Sequence, residues 1–193
     1  GLPGQAARAD FGGHDGQPGR HIIEHLDVGA RAAQHRVEAQ IGGLVKKPVS
    51  YSLEDLRAMP SRTQITRHDC VEGWSAIGEW TGVPLSLLLQ QAELMPNARY
   101  LVFRCADDLI GSRDGSGLYY ESIDLVDAFH PQTIMAYAMN GMTLPIEHGA
   151  PLRLRLARQL GYKNTKYLMR ITLIDDVEAA NDPARRGPWY GGI

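Results

Sequence analysis

The sequence predicts an α+β fold in which mixed sheets carry most of the core and the helices are short. Three observations lead there. Segments with apolar residues at alternate positions outnumber segments with a 3.6-residue period. The helical segments are short. Strands and helices do not follow the regular βαβ order that builds a parallel sheet.

Apolar residues alternate over 37–41 and Gly42-Gly43 follows, which predicts a strand and a turn. Ser52-Leu53-Glu54-Asp55 has the spacing of a capping box, and Pro60 closes the short helix it starts. A short strand over 64–66 runs into a loop that carries Cys70. Pro84 heads a second helix over 85–93. A strand over 100–104 leads to a loop with Asp107, Asp108, Gly111, Asp114 and Gly115. A short helix is expected over 122–129 and a strand over 133–139. Asn140-Gly141 then marks a hairpin, because a type I′ turn needs positive φ at both central residues. Leu152-Arg153-Leu154-Arg155-Leu156 alternates strictly, so its leucines are expected to face a core and its arginines the opposite surface. The last clear strand covers 171–174. Residues 1–35 are read as an irregular arm packing on the domain, since 1–20 are rich in Gly, Pro and Ala without apolar period. The domain itself covers 36–193.

A net charge of −2 over 193 residues argues against nucleic acid or an anionic membrane as the main partner, so any anion site must be a local cluster. No apolar run approaches the roughly 20 residues of a membrane-spanning helix. Two cysteines, Cys70 and Cys105, make no disulfide framework; one bridge or two free thiols both fit.

Two constellations can carry chemistry. Arg67-His68-Asp69-Cys70-Val71-Glu72-Gly73-Trp74-Ser75 places a thiol among a guanidinium, an imidazole and carboxylates, with Trp74 as a wall. Cationic neighbours activate a thiol as nucleophile or metal ligand, although the same window fits a buried structural cysteine. Zinc wants four ligands at paired spacings, and none is present. One thiolate suits a metal already held by a cofactor's own sulfurs. The second constellation joins His148 and Arg153 to Lys163, Asn164, Thr165 and Lys166. Arginine offers a fork for phosphate, lysine a point charge, and backbone N–H groups after a glycine a nest. An ordinary solvated basic face fits as well. No P-loop, serine-hydrolase elbow or EF-hand spacing occurs.

Taken together, these motifs resemble the sulfite oxidase superfamily. The resemblance is carried by Asp69-Cys70-Val71-Glu72-Gly73-Trp74-Ser75, Trp80-Thr81-Gly82-Val83-Pro84-Leu85, Met135-Ala136-Tyr137-Ala138-Met139-Asn140-Gly141, and His148-Gly149-Ala150-Pro151-Leu152-Arg153. Gly161-Tyr162-Lys163-Asn164-Thr165-Lys166-Tyr167 is similar to the family's Gly-x-Lys-x-x-Lys run, and Gly187-Pro188-Trp189-Tyr190-Gly191 to its closing aromatic segment. The match runs over residues 36–190.

The resemblance implies a sulfite-oxidase-type molybdopterin-binding fold and a molybdenum-pyranopterin cofactor (Mo-molybdopterin). It implies Cys70 as metal ligand, His148, Arg153 and Cys105 as cofactor contacts, and Lys163, Asn164, Thr165 and Lys166 at the phosphate end. His21, in Arg20-His21-Ile22-Ile23-Glu24, corresponds to an arm folded over the cofactor. Arg67 and Glu72 are the catalytic candidates beside Cys70, by adjacency. The family's sulfite oxidases often read Cys-Ala-Gly-Asn-Arg where this chain has Cys70-Val71-Glu72-Gly73-Trp74, and they add a dimerisation domain that these residues do not show. Both departures point to the small single-domain bacterial branch, which includes periplasmic methionine-sulfoxide reductase catalytic subunits. The expected reaction is oxygen-atom transfer on a small-molecule or protein-bound sulfoxide. Electrons would come from a separate haem or quinone-linked protein, with a membrane subunit as a possible partner. Sulfite oxidation, a non-catalytic binding module and a metal-free thiol enzyme are the alternatives.

Overall fold

The computed structural model describes residues 38–108 and 117–180. The expected N-terminal arm with His21 and the aromatic segment 187–191 lie outside them. Two five-stranded sheets and a few short helices make up the described residues, as the α+β expectation requires.

The first sheet has the order β2-β1-β10-β5-β6. Its strands are β1 (Glu38–Gly43), β2 (Val49–Ser52), β5 (Tyr100–Asp108), β6 (Leu118–Asp124) and β10 (Leu168–Ile174). The second runs β3-β4-β7-β8, with β9 also paired to β7. It comprises β3 (Arg62–Asp69), β4 (Ser75–Pro84), β7 (Thr133–Met139), β8 (Met142–Thr143) and β9 (Arg153–Leu156).

Helix α1 (Leu53–Ala58) starts with the expected capping box. Ser52 Oγ accepts from the Asp55 amide at 3.1 Å, and the Asp55 carboxylate accepts from the Ser52 amide at 2.8 Å. Such a cap is worth about 1 kcal/mol. Helix α2 (Leu85–Ala92) buries Leu85, Leu88, Leu89 and Ala92, an i, i+3, i+4, i+7 stripe. That stripe joins Ala39, Ile41, Leu101, Phe103, Ile171 and Leu173 of the first sheet and Met135, Leu154 and Leu156 of the second in one core. Asn140 and Gly141 turn β7 into β8 with φ of 51° and 72°.

Three expectations are corrected. The segment expected as helix over 122–129 is strand as far as Asp124; only α3 (Leu125–Ala128) is helical, capped by Asp124 on the Asp127 amide at 2.8 Å. β4 was not anticipated, because Gly78 and Gly82 interrupt its alternation. Gly82 is required there: a Cβ would lie 2.1 Å from the Met135 carbonyl oxygen across the β4–β7 pairing.

The third correction matters most for function. Leu154 and Leu156 face the main core, but Arg153 and Arg155 do not face solvent; they are 5% and 0% exposed. The register Ile134↔Arg155 and Ala136↔Arg153 puts the arginines on the same face as Ile134 and Ala136. That face is covered by a second apolar cluster containing Trp80, Ile134, Ala136, Met139 and Leu144. The sheet therefore has two buried faces, one hydrocarbon and one that houses two guanidinium groups.

Candidate cofactor and active site

Cys70 lies in the loop of the β3–β4 hairpin, just past the last paired residues Asp69 and Ser75. The loop is a tight turn. The Cys70 amide donates to the Trp74 carbonyl at 2.9 Å, and the Gly73 amide donates to the Cys70 carbonyl at 3.0 Å. Gly73 has φ 92°, a conformation that costs a residue with a Cβ. Both Cys70 and Cys105 are free thiols, Cys70 half-buried and Cys105 buried.

Alternation along β3 sorts the neighbours of Cys70. Thr66 is buried and His68 half-buried, whereas Ile65 and Arg67 are exposed. The His68 ring packs 6.0 Å from Trp74, and a Cβ on Gly161 would come within 2.7 Å of its Nε2. A side chain at 161 would require the imidazole to shift. Burial, and then Arg153 and Arg155, push His68 down to about 4, so the ring is neutral at neutral pH.

Arg155 holds the root of this hairpin. Its Nε and Nη2 donate to Thr66 Oγ1 at 3.1 and 2.9 Å, Nη2 also donates to the Arg67 carbonyl at 2.7 Å, and Nη1 donates to Asn164 Oδ1 at 2.7 Å. Arg153 donates to the carbonyls of His148 at 2.8 Å and Asn164 at 3.1 Å. Both guanidiniums lie over the Trp80 ring, at 4.9 and 5.5 Å. Among the described residues neither arginine is in an ion pair with a carboxylate. Burial depresses both, Arg153 to about 9 and Arg155 to about 10, which leaves them cationic at neutral pH.

Lys166 extends the positive field. Burial lowers it, with Asp107 opposing and Arg153 adding to the fall, and its Nζ donates to the Glu147 carbonyl at 3.4 Å. Cys105, on β5, shares these surroundings: burial pushes its thiol up, Asp107 adds to that, and the neighbouring Thr165 opposes it. His148 is half-buried and lowered by burial and by Arg153. Gly149 lets the chain pass here, since a Cβ would meet Lys166 Cβ at 2.7 Å.

The sequence-derived candidates thus divide. His148, Arg153, Thr165, Lys166 and Cys105 come together in one cationic cluster, and the Cys70 hairpin rests on it through His68. Asn164 is in the cluster, but its Oδ1 is occupied by Arg155 and by the Leu156 amide at 2.7 Å, and its Nδ2 donates to the Leu160 carbonyl at 3.0 Å. Lys163 points elsewhere: its Nζ is 2.9 Å from Glu121 and 3.0 Å from the Ser122 carbonyl. Arg67 is not in the cluster; its exposed guanidinium pairs with Asp69 at 2.9 Å. Glu72 is exposed on the loop and accepts from the Trp74 indole at 3.4 Å. Sequence reasoning missed Arg155 and Trp80. The signal for Arg155 was the same alternation that singled out Arg153.

The oxidoreductase molybdopterin binding domain matches residues 25–181. This chain belongs to that family, within the sulfite oxidase superfamily. A provisionally named protein-methionine-sulfoxide reductase subunit, YedZ1, from Azospira oryzae is 40% identical over 161 residues, covering 83% of this chain and 57% of that protein. The protein-methionine-sulfoxide reductase catalytic subunit MsrP of Ralstonia nicotianae is 34% identical over 150 residues, covering 73% and 44%. The chain spans about half the length of these curated relatives. Among solved structures, the sulfane dehydrogenase SoxCD from Paracoccus pantotrophus aligns with a TM-score of 0.63 at 26% identity, over 73% of this chain and 39% of that one.

The residues present fit a molybdopterin. The buried Arg153 guanidinium, with no carboxylate partner among the described residues, costs several kcal/mol to hold unless an anion compensates it, and a pterin phosphate is such an anion. The Trp80 Nε1 is a further buried donor with no acceptor among the described residues. A half-buried free thiol on the adjoining hairpin is the soft ligand that a molybdenum–sulfur centre takes. The Arg153–Lys166 cluster and the hairpin above it are therefore the candidate site.

Proposed function

We propose that this chain is the catalytic domain of a molybdenum-pterin oxidoreductase that reduces a sulfoxide by oxygen-atom transfer. Cys70 is the protein ligand to the metal. Arg153, His148, Thr165, Lys166 and Cys105 contact the pterin and its phosphate, while Asn164 and Arg155 fix the residues that do so. His21 remains a proposed contact from the arm. When bound, the cofactor supplies two-electron redox chemistry and accepts the oxygen. In balance, one sulfoxide, two protons and two electrons give one sulfide and one water: the sulfur–oxygen bond breaks, the sulfur is reduced, and the oxygen leaves as water.

The observation that carries the sulfoxide reading is the character of the rim around Cys70. Val71 and Trp74 are exposed there, and Arg67, the exposed cation nearest the loop along β3, is ion-paired with Asp69. Sulfite would call for cations at the mouth that are free to receive it. A neutral, dipolar substrate with apolar substituents suits Val71 and Trp74. The chain's own work is to orient that substrate against the aromatic wall and to exclude water from one side of it. Neutral His68 can donate one hydrogen bond towards an oxygen. Glu72 is the carboxylate placed to pass protons from solvent at the same loop. Arg67, by its position, steadies Asp69 rather than the substrate.

Electrons come from a separate haem or quinone-linked partner, with a membrane subunit as its natural form, since both relatives are named as subunits. The periplasm is the compartment in keeping with this reading. Steady-state assays with methionine sulfoxide, a peptide sulfoxide and sulfite, each with an artificial donor or acceptor, test it. Sulfoxides should exceed sulfite in kcat/KM by at least about 100-fold. Sulfite turnover without sulfoxide turnover would overturn the assignment.

A further inference from the structure

We propose that Arg155 is a positioning residue that presets the Cys70 strand against the segment 164–166 before any cofactor arrives. The proposal rests on the reading above of Cys70 and of that segment. Its basis is topological. β3 pairs with β4, β4 with β7, and β7 with β9, so no backbone ladder joins β3 to β9. The guanidinium of Arg155 crosses that distance. It binds Thr66 and the Arg67 carbonyl on β3, Asn164 beyond β9, and the Leu156 carbonyl at 3.3 Å on its own strand.

All three of its nitrogens are used on protein acceptors, and the side chain is 0% exposed. Arg155 is thus a cross-link: unlike those of Arg153, its acceptors lie on β3 as well as on the 156–164 segment, which no ladder joins to β3. Thr66 lies four positions before Cys70, so displacing it would displace the thiol. Asn164 offers its Oδ1 to Arg155 and its carbonyl to Arg153, so a loose Asn164 would loosen the phosphate grip too. A lysine keeps the charge but cannot serve Thr66, Arg67 and Asn164 from one point. A hydrophobic residue would satisfy Trp80 and Ile134 and leave those acceptors unserved.

The test is hydrogen exchange on the full chain prepared without cofactor, followed by metal spectroscopy on the loaded protein. Arg155→Met should raise exchange at least about tenfold over both 66–70 and 163–166, while the β5, β6 and β10 amides stay protected. Arg155→Lys should do the same, less strongly. Thr66→Val leaves the guanidinium in place and removes two of its bonds. It should speed exchange at 163–166, far along the chain from the substitution, and it reports the coupling should Arg155→Met fail to fold. In the loaded protein, Arg155→Lys should lower the fraction of molybdenum that carries a protein sulfur.

A uniform rise over all strands would mean plain destabilisation and would overturn the proposal. So would unchanged exchange at 163–166 in Thr66→Val. Absence of molybdenum from the wild-type protein would instead defeat the reading of Cys70, and the exchange result would still stand on its own.

Discussion

The Lys163 ammonium sits 2.9 Å from the Glu121 carboxylate, with 3% and 0% of the two side chains exposed. The pair joins the segment before Asn164 to β6. Burial raises Glu121, and Lys163 offsets part of that rise. Lys163→Met leaves a buried carboxylate without its cation and should cost about 3–5 kcal/mol, read by urea denaturation. The double replacement Lys163→Met with Glu121→Leu should recover most of it. Equal loss in the single and double variants would show that the pair itself is not the issue.

Arg153→Met should lower molybdenum and pterin content about tenfold or more at fixed cofactor supply, read by metal analysis of purified protein. The loss should exceed any change in folding stability, because no carboxylate loses its partner. Unchanged content would remove Arg153 from the site.

Gly161→Ala forces a methyl group to within 2.7 Å of His68 Nε2. The imidazole and Trp74 must move, at a cost of about 1–3 kcal/mol. Sulfoxide turnover should fall while the cofactor stays bound. Gly73→Ala has open space around the new methyl group and should act only through its positive φ. Kinetics and cofactor content measured side by side distinguish the two.

His68 titrates at about 4 in the folded chain against 6.5 for an ordinary histidine. The unfolded chain therefore takes up the proton first. The stabilising effect of a neutral His68 is complete above pH 6.5 and is lost as pH falls towards 4. Because the ring is only half-buried, about 1–2 kcal/mol is expected. Urea midpoints at about pH 7.5 and about pH 5 should differ less in His68→Gln than in the wild type. Equal differences would contradict the assignment.

Much of the fold was legible because its signals are local. The Ser52–Asp55 cap, Pro84, the Asn140-Gly141 turn and the apolar stripe of α2 each act within a few residues. β4 was hidden because its glycines break the alternation, and Gly82 answers to another strand, at Met135. Arg155 shows the same limit within the site. Alternation puts it on the face opposite the leucines, but whether that face meets water or Trp80 depends on how the β3–β4 ribbon folds over. Adjacency to Cys70 points to Arg67 and Glu72, whereas side-chain parity on β3 turns Thr66 and His68 inward and Arg67 outward. Lys163 and Lys166 read alike as basic residues; only the buried Glu121 distinguishes them.

The central claim is that Cys70 holds molybdenum in this chain. X-ray absorption at the metal, together with molybdenum and pterin content, tests it on the purified wild type and on Cys70→Ser. The wild type should carry about one molybdenum and one pterin per chain, and Cys70→Ser should show one sulfur fewer at the metal and no sulfoxide turnover. Active protein without molybdenum, or a Cys70→Ser variant with unchanged metal coordination and full activity, would contradict the account.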